Sequence, residues 1–181
     1  MSQVNEYFRQ AELSLAAYAN LSAGEPSQTE LIKAGFSSPQ AKDFASKWTV
    51  ASQHTDAATG LSATVFQEIS TGNPYLAVRG TEPNDFLRDI IINDGLIAVG
   101  YLPDALPQYR LLKDQVAQWI SNGTLNNGFT VSGHSLGGYL VTALTADFAA
   151  NVTQTYLYNA PGLNGVRGSV TAAVLEVFGI T

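Results

Sequence analysis

Residues Gly133-His134-Ser135-Leu136-Gly137 spell G-x-S-x-G, and the pattern stands between two stretches of different character. Gly128-Phe129-Thr130-Val131-Ser132 before it reads as a strand. Gly138-Tyr139-Leu140-Val141-Thr142-Ala143-Leu144 after it reads as the start of a helix. A strand that passes into a helix through one serine needs a tight, strained turn. Small residues on both sides let the backbone make it and hold the hydroxyl out at the top of a sheet. The helix that follows points free N–H groups toward the serine, where an oxyanion would form. The pattern therefore predicts Ser135 as a nucleophile and the Leu136 backbone N–H as a first oxyanion donor, with the Leu136 side chain as plain core. The rival reading is a Gly-rich turn without chemistry.

The chain has 181 residues, enough for one domain with a sizeable core. We read 1–47 as a helical N-terminal segment and 48–181 as a sheet core. Helices are expected over Asn5–Ala19, Thr29–Lys33, Pro39–Lys47, Leu106–Asn122, Leu136–Ala150 and Ser169–Phe178. In the first, Tyr7, Phe8, Leu13, Leu15, Ala16 and Tyr18 supply the apolar residues. Trp48–His54 and Leu61–Ile69 alternate and form a hairpin around Asp56-Ala57-Ala58-Thr59-Gly60. Tyr75–Val78 and Thr155–Tyr158 read as buried strands. Strands alternating with helices argue for a mostly parallel sheet covered on both faces.

Composition excludes several classes. Charged residues are 13% and net charge is −6, which argues against a nucleic-acid partner. There is no cysteine, so disulfides, thiolate catalysis and Cys-ligated zinc are ruled out together. No metal-ligand spacing, EF-hand loop or G-x-x-x-x-G-K phosphate loop occurs, and no cofactor is expected. No apolar stretch is long enough to span a membrane. Met1 to Asn20 lacks the basic start and apolar core of a secretory signal peptide. Localisation stays open between secretion without a cleavable signal and the cytoplasm.

Gly133-His134-Ser135-Leu136-Gly137-Gly138, preceded by Val78-Arg79-Gly80-Thr81, resembles the class 3 lipases: the fungal-type triacylglycerol lipases and their bacterial relatives. We read the chain as a bacterial member. The resemblance covers roughly residues 60 to 165 and implies an α/β-hydrolase core. It implies that Thr81 supplies the second oxyanion N–H, where the bland reading is a strand-end residue capping the next helix. Val78 stands where the family usually has Phe. Phe86-Leu87-Arg88-Asp89 falls on the family's Trp-x-x-Asp turn, with Phe replacing Trp. By resemblance Asp89 holds Thr81 and the oxyanion hole in shape; the rival is a solvated helix residue. Phe86, Leu87, Ile90, Ile91 and Ile92 then line an apolar lid over Asn84–Gly100, against the alternative of a buried core helix. Tyr158-Asn159-Ala160-Pro161-Gly162 matches the strand and turn after the nucleophile helix.

The acid and base are the difficulty. An α/β-hydrolase delivers its triad in the order Ser, then Asp or Glu, then His. After Gly162 the only carboxylate is Glu176, and no histidine follows. The two histidines of the chain are His54 and His134. His134 precedes the nucleophile and should point away from its hydroxyl. His54 lies near the hairpin tip; the alternative, that it is the base, requires it to reach Ser135 within hydrogen-bond distance. The expectation is a hydrolase core incomplete at its C-terminal side. A missing segment or a second chain would supply acid and base, and the sheet would show an unpaired edge. On this reading the chain alone is inactive. Two functions follow: a lipase or esterase acting on acyl esters or lipids through an acyl-enzyme, or a non-catalytic hydrolase-fold module that binds acyl or lipid groups.

Overall fold

The computed structural model describes residues 3–80, 106–125 and 128–160. Three helices come first: α1 (Gln3–Ala16), α2 (Gln28–Lys33) and α3 (Ser38–Lys47). The α3 start is set locally. Ser37 accepts from the Gln40 N–H, the Gln40 side chain accepts from the Ser37 N–H, and Pro39 occupies the first turn. Strands β1 (Trp48–Asp56), β2 (Leu61–Glu68) and β3 (Pro74–Val78) follow. Then come α4 (Pro107–Ser121), β4 (Phe129–His134), α5 (Leu136–Asp147) and β5 (Val152–Tyr158). The five strands lie side by side in chain order.

The sheet is mixed, which corrects the expected mostly parallel one. β1–β2 and β2–β3 are antiparallel; β3–β4 and β4–β5 are parallel. Loop length is the reason. Only short turns separate the first three strands, and a parallel neighbour needs a crossover of about a dozen residues or more. Helical connections begin only after β3. A bulge between Val50 and Ser52 on β1 then reverses which residues face which side. Val50 lies in one core, while Ser52 accepts from the Trp119 indole N–H at 3.1 Å on the other.

Helices cover both faces, as expected. On one, α1–α3 pack with Trp48, Val50, Phe66, Tyr75 and Ala77. On the other, Tyr109, Leu112, Val116 and Trp119 of α4 and Tyr139, Leu140, Val141 and Leu144 of α5 meet Val65, Leu76, Val78, Phe129 and Val131. β4 lies between β3 and β5 and is buried except at His134. β5 is half-exposed, not the buried strand its sequence suggested. Among the described residues its only strand partner is β4, and Leu157 is 46% exposed. α1 also corrects the reading in detail. It ends at Ala16, and Gln10 and Ser14 are buried while Tyr7, Phe8 and Leu15 face solvent. The expected helix over Ser169–Phe178 lies outside the described residues.

Candidate active site

β4 runs through His134, and α5 starts at Leu136, so a single residue makes the reversal. That residue, Ser135, has φ 55° and ψ −128°. A non-glycine residue there carries strain of about 1–3 kcal/mol, which the surroundings must hold in place. Three hydrogen bonds do so. The Ser135 N–H donates to the Tyr158 carbonyl on β5 at 2.9 Å. Its own carbonyl accepts from the Gly138 and Tyr139 N–H groups at 2.9 and 3.3 Å. The side chain stays partly exposed at the carboxyl ends of β3, β4 and β5.

Glycine at the turn is required by close approach. A Cβ on Gly133 would lie 2.6 Å from the Gly137 carbonyl oxygen. A Cβ on Gly137 would run into the Val78 carbonyl and sit 2.7 Å from the Arg79 carbonyl carbon. The start of α5 is therefore seated directly on the backbone end of β3. Leu136 takes the first position of α5, where helix N–H groups lack intrahelical acceptors, and its side chain is 7% exposed within the core.

The end of β3 completes this corner. A Cβ on Gly80 would come 3.1 Å from the Ser135 Cβ and 2.7 Å from the His134 carbonyl oxygen. The chain thus brings Gly80 against the serine, and Thr81 is the next residue. Thr81 itself lies outside the described residues, as do Asp89 and the lid residues Phe86, Leu87, Ile90, Ile91 and Ile92.

Both histidines lie among the described residues. The His134 Nδ1 lies 2.9 Å from the Tyr18 hydroxyl, and the two rings meet edge-on with centroids 5.9 Å apart. His54 is on β1, opposite Ala63; Ala63 pairs with Val78, and Val78 with Gly133. His54 therefore sits level with the elbow but three strands away, about 14 Å at ordinary strand spacing. That is beyond hydrogen-bond reach of Ser135.

Two neighbours of the site carried no signal strong enough to single them out in the sequence. Tyr18 read as one more apolar residue of the first helix. Asn159, the other non-glycine residue with positive φ (48°) among the described residues, closes β5 beside the elbow; asparagine tolerates that conformation better than most residues. Burial, reinforced by Tyr156, Glu6 and Tyr7, pushes the Tyr158 phenol up to about 12, and its hydroxyl donates to the Tyr7 carbonyl at 2.5 Å. Among the described residues no group of three or more His, Asp or Glu side chains could hold a metal ion. Nor is any helix among them long and apolar enough to cross a membrane.

No family model and no curated protein matches the sequence. Solved structures do match. The Lip2 lipase from Yarrowia lipolytica superposes with a TM-score of 0.63 at 16% identity, over 89% of this chain and 61% of that one. The lipase from Rhizopus microsporus var. chinensis gives 0.58 at 17% identity, over 98% and 63%. Lipase II from Rhizopus niveus gives 0.54 at 18% identity, over 98% and 69%. At such identities the likeness establishes the fold: an α/β-hydrolase fold of the kind seen in fungal lipases. The chain spans 61% of the length of the first of these structures and 63% of the second.

Proposed function

We propose that this chain is the nucleophile-bearing part of a serine carboxylic-ester hydrolase, of lipase or esterase type, acting on acyl esters or lipids. The observation that carries the reading is Ser135 itself. It is held at φ 55° between strand and helix, partly exposed, with Gly80 against its Cβ. In the proposed reaction a base removes the Ser135 proton as Oγ attacks the ester carbonyl. The charge that develops on the carbonyl oxygen is received by the Leu136 and Thr81 N–H groups, with Asp89 supporting Thr81. The carbon–oxygen bond to the alcohol then breaks, the alcohol leaves protonated, and water hydrolyses the acyl-serine. The apolar residues from Phe86 to Ile92 form the proposed lid, which would exclude water from this step.

The distance of His54 from the serine and the contact of His134 with Tyr18 support a reading in which the proposed acid and base come from a further segment or a second chain. Without them only binding and oxyanion stabilisation remain, about 10³–10⁴-fold over water in serine proteases stripped of their triad. The same positions of His54 and His134 favour the second reading, a non-catalytic module that binds acyl or lipid groups.

A fluorophosphonate probe read by intact mass separates the two. On the hydrolase reading the chain acquires one adduct slowly, added imidazole speeds the labelling as a diffusible base, and Ser135→Ala abolishes it. His54→Ala leaves the rate unchanged. Absence of an adduct with or without imidazole, in a chain that still binds a fluorescent fatty-acyl ligand, would establish the binding module instead.

A further inference from the structure

We propose that Tyr18 is a positioning residue for the Ser135 site: its hydroxyl couples the elbow to the end of β3 and sets the width of the space that holds the oxyanion. The proposal rests on the hydrolase reading above and names a residue that reading does not use.

Tyr18 lies in the turn after α1, 116 residues before its partner. Its hydroxyl is 2.9 Å from His134 Nδ1, on the residue immediately before the nucleophile. The same hydroxyl faces the other wall, since a Cβ on Gly80 would lie 2.9 Å from it. That hypothetical Cβ would also lie 2.7 Å from the His134 carbonyl oxygen and 3.1 Å from the Ser135 Cβ. One small volume is therefore bounded by the phenol, the elbow backbone and the nucleophile. On the hydrolase reading the second oxyanion donor is the residue after Gly80, so the packing of Gly80 against the elbow is what Tyr18 can influence.

The turn that carries Tyr18 is anchored on the sheet. Ser62 Oγ donates to the Ala17 carbonyl at 3.4 Å, and Gln53 Nε2 donates to the Ala19 carbonyl at 3.0 Å. Gln53 Oε1 accepts from the Leu21 N–H at 2.8 Å, and Gln53 Nε2 also donates to Thr64 Oγ1 at 2.8 Å. The phenol is thus presented from residues fixed on β1 and β2 onto the ends of β3 and β4. Oxyanion stabilisation depends on donors already in place, and a displacement of about 1 Å can cost about 10²-fold in rate. Tyr18 acts through His134 and Gly80 and does not itself take part in the chemistry.

The test uses the full chain with a fixed concentration of imidazole. Phosphonate labelling rate, the urea midpoint and amide exchange at Gly80 and Leu136 are measured for Tyr18→Phe, His134→Ala and His134→Asn. Tyr18→Phe keeps the ring and loses the hydroxyl. Labelling is expected to slow by about 10- to 100-fold. Exchange at Gly80 and Leu136 should quicken while Thr55 on β1 is unaffected. His134→Ala should match Tyr18→Phe, and the double variant should be no slower than either. His134→Asn puts an amide group where Nδ1 stands and should recover most of the rate. Wild-type labelling by Tyr18→Phe, or exchange that quickens equally at Thr55, would overturn the proposal. If the wild-type chain is not labelled at all, the hydrolase reading fails by itself, and unchanged exchange at Gly80 and Leu136 in Tyr18→Phe would separately refute the coupling.

Discussion

Replacing Gly137 with alanine tests whether α5 is seated on the end of β3. Two terms oppose each other. Alanine is a better helix former than glycine by up to about 1 kcal/mol. Against that, the new Cβ would meet the Val78 carbonyl and lie 2.7 and 2.8 Å from the carbonyl carbon and oxygen of Arg79. These are main-chain atoms, and none can swing aside as a side chain would. Val78 is also paired to Ala63 on one side and Gly133 on the other, so β3 cannot yield alone. Carbon atoms prefer separations of about 3.5–4.0 Å, so helix and strand must part by roughly 1 Å. Overpacking costs about 1–3 kcal/mol, and against main-chain atoms the upper part of that range, about 2–3, applies, so the clash wins by about 1–2 kcal/mol. With a urea slope of about 2 kcal/mol per molar, the midpoint should fall by about 0.5–1 M with the slope unchanged. Phosphonate labelling of Ser135 should fall as well, since the same displacement opens the gap between Gly80 and the elbow. Gly123→Ala is the control. Its Cβ meets nothing within 4 Å, but its φ of +81° disfavours a side chain. It should lose about 1–2 kcal/mol and keep the labelling rate per folded molecule. A Gly137→Ala midpoint at or above that of the wild type would refute the seating argument.

Ser135→Gly should raise stability by about 1 kcal/mol in a thermal melt, because glycine relieves the strain at φ 55° at some cost in unfolded-state entropy. Phe129→Ala removes a ring that is 0% exposed at the entry to β4 and should cost about 3–5 kcal/mol in urea unfolding. The Tyr158 phenol, ordinarily at 10.0, is pushed up to about 12 mainly by burial, so the folded chain holds this proton more tightly than the unfolded chain does. Its contribution is therefore full below pH 10 and is lost as pH rises from there through about 12. Tyr158→Phe should flatten the urea midpoint against pH in that window; an unchanged slope would contradict the assignment.

Much of the site was legible because an elbow is a local object. Five consecutive residues fix a turn that only small neighbours allow, and Ser135 adopts the positive φ that such a turn demands. The helix starts were legible for the same reason, as at Ser37 and Gln40, where the cap bonds span three residues. Alternation in Trp48–Ile69 likewise gave the hairpin. What failed was everything that depends on the far side of a contact. The burial of Gln10 and Ser14 on α1 is decided by what packs against them, not by their own polarity, and the list of apolar residues in that helix does not contain it. The hairpin accounts for one antiparallel pair; the second, β2–β3, follows from a connection too short for a parallel neighbour.

The sequence by itself determined the nucleophile candidate of the proposed reaction and how few histidines could serve it, because both follow from residue identities and a strained local turn. Only the tertiary structure decided that His54 stands three strands from Ser135, that Gly80 closes against the serine across 55 positions of chain, and that Tyr18 reaches His134. Those are consequences of strand order and of a helix laid across the sheet. No window of neighbouring residues contains them, since the loops that close such contacts leave no periodic trace of where their ends will meet.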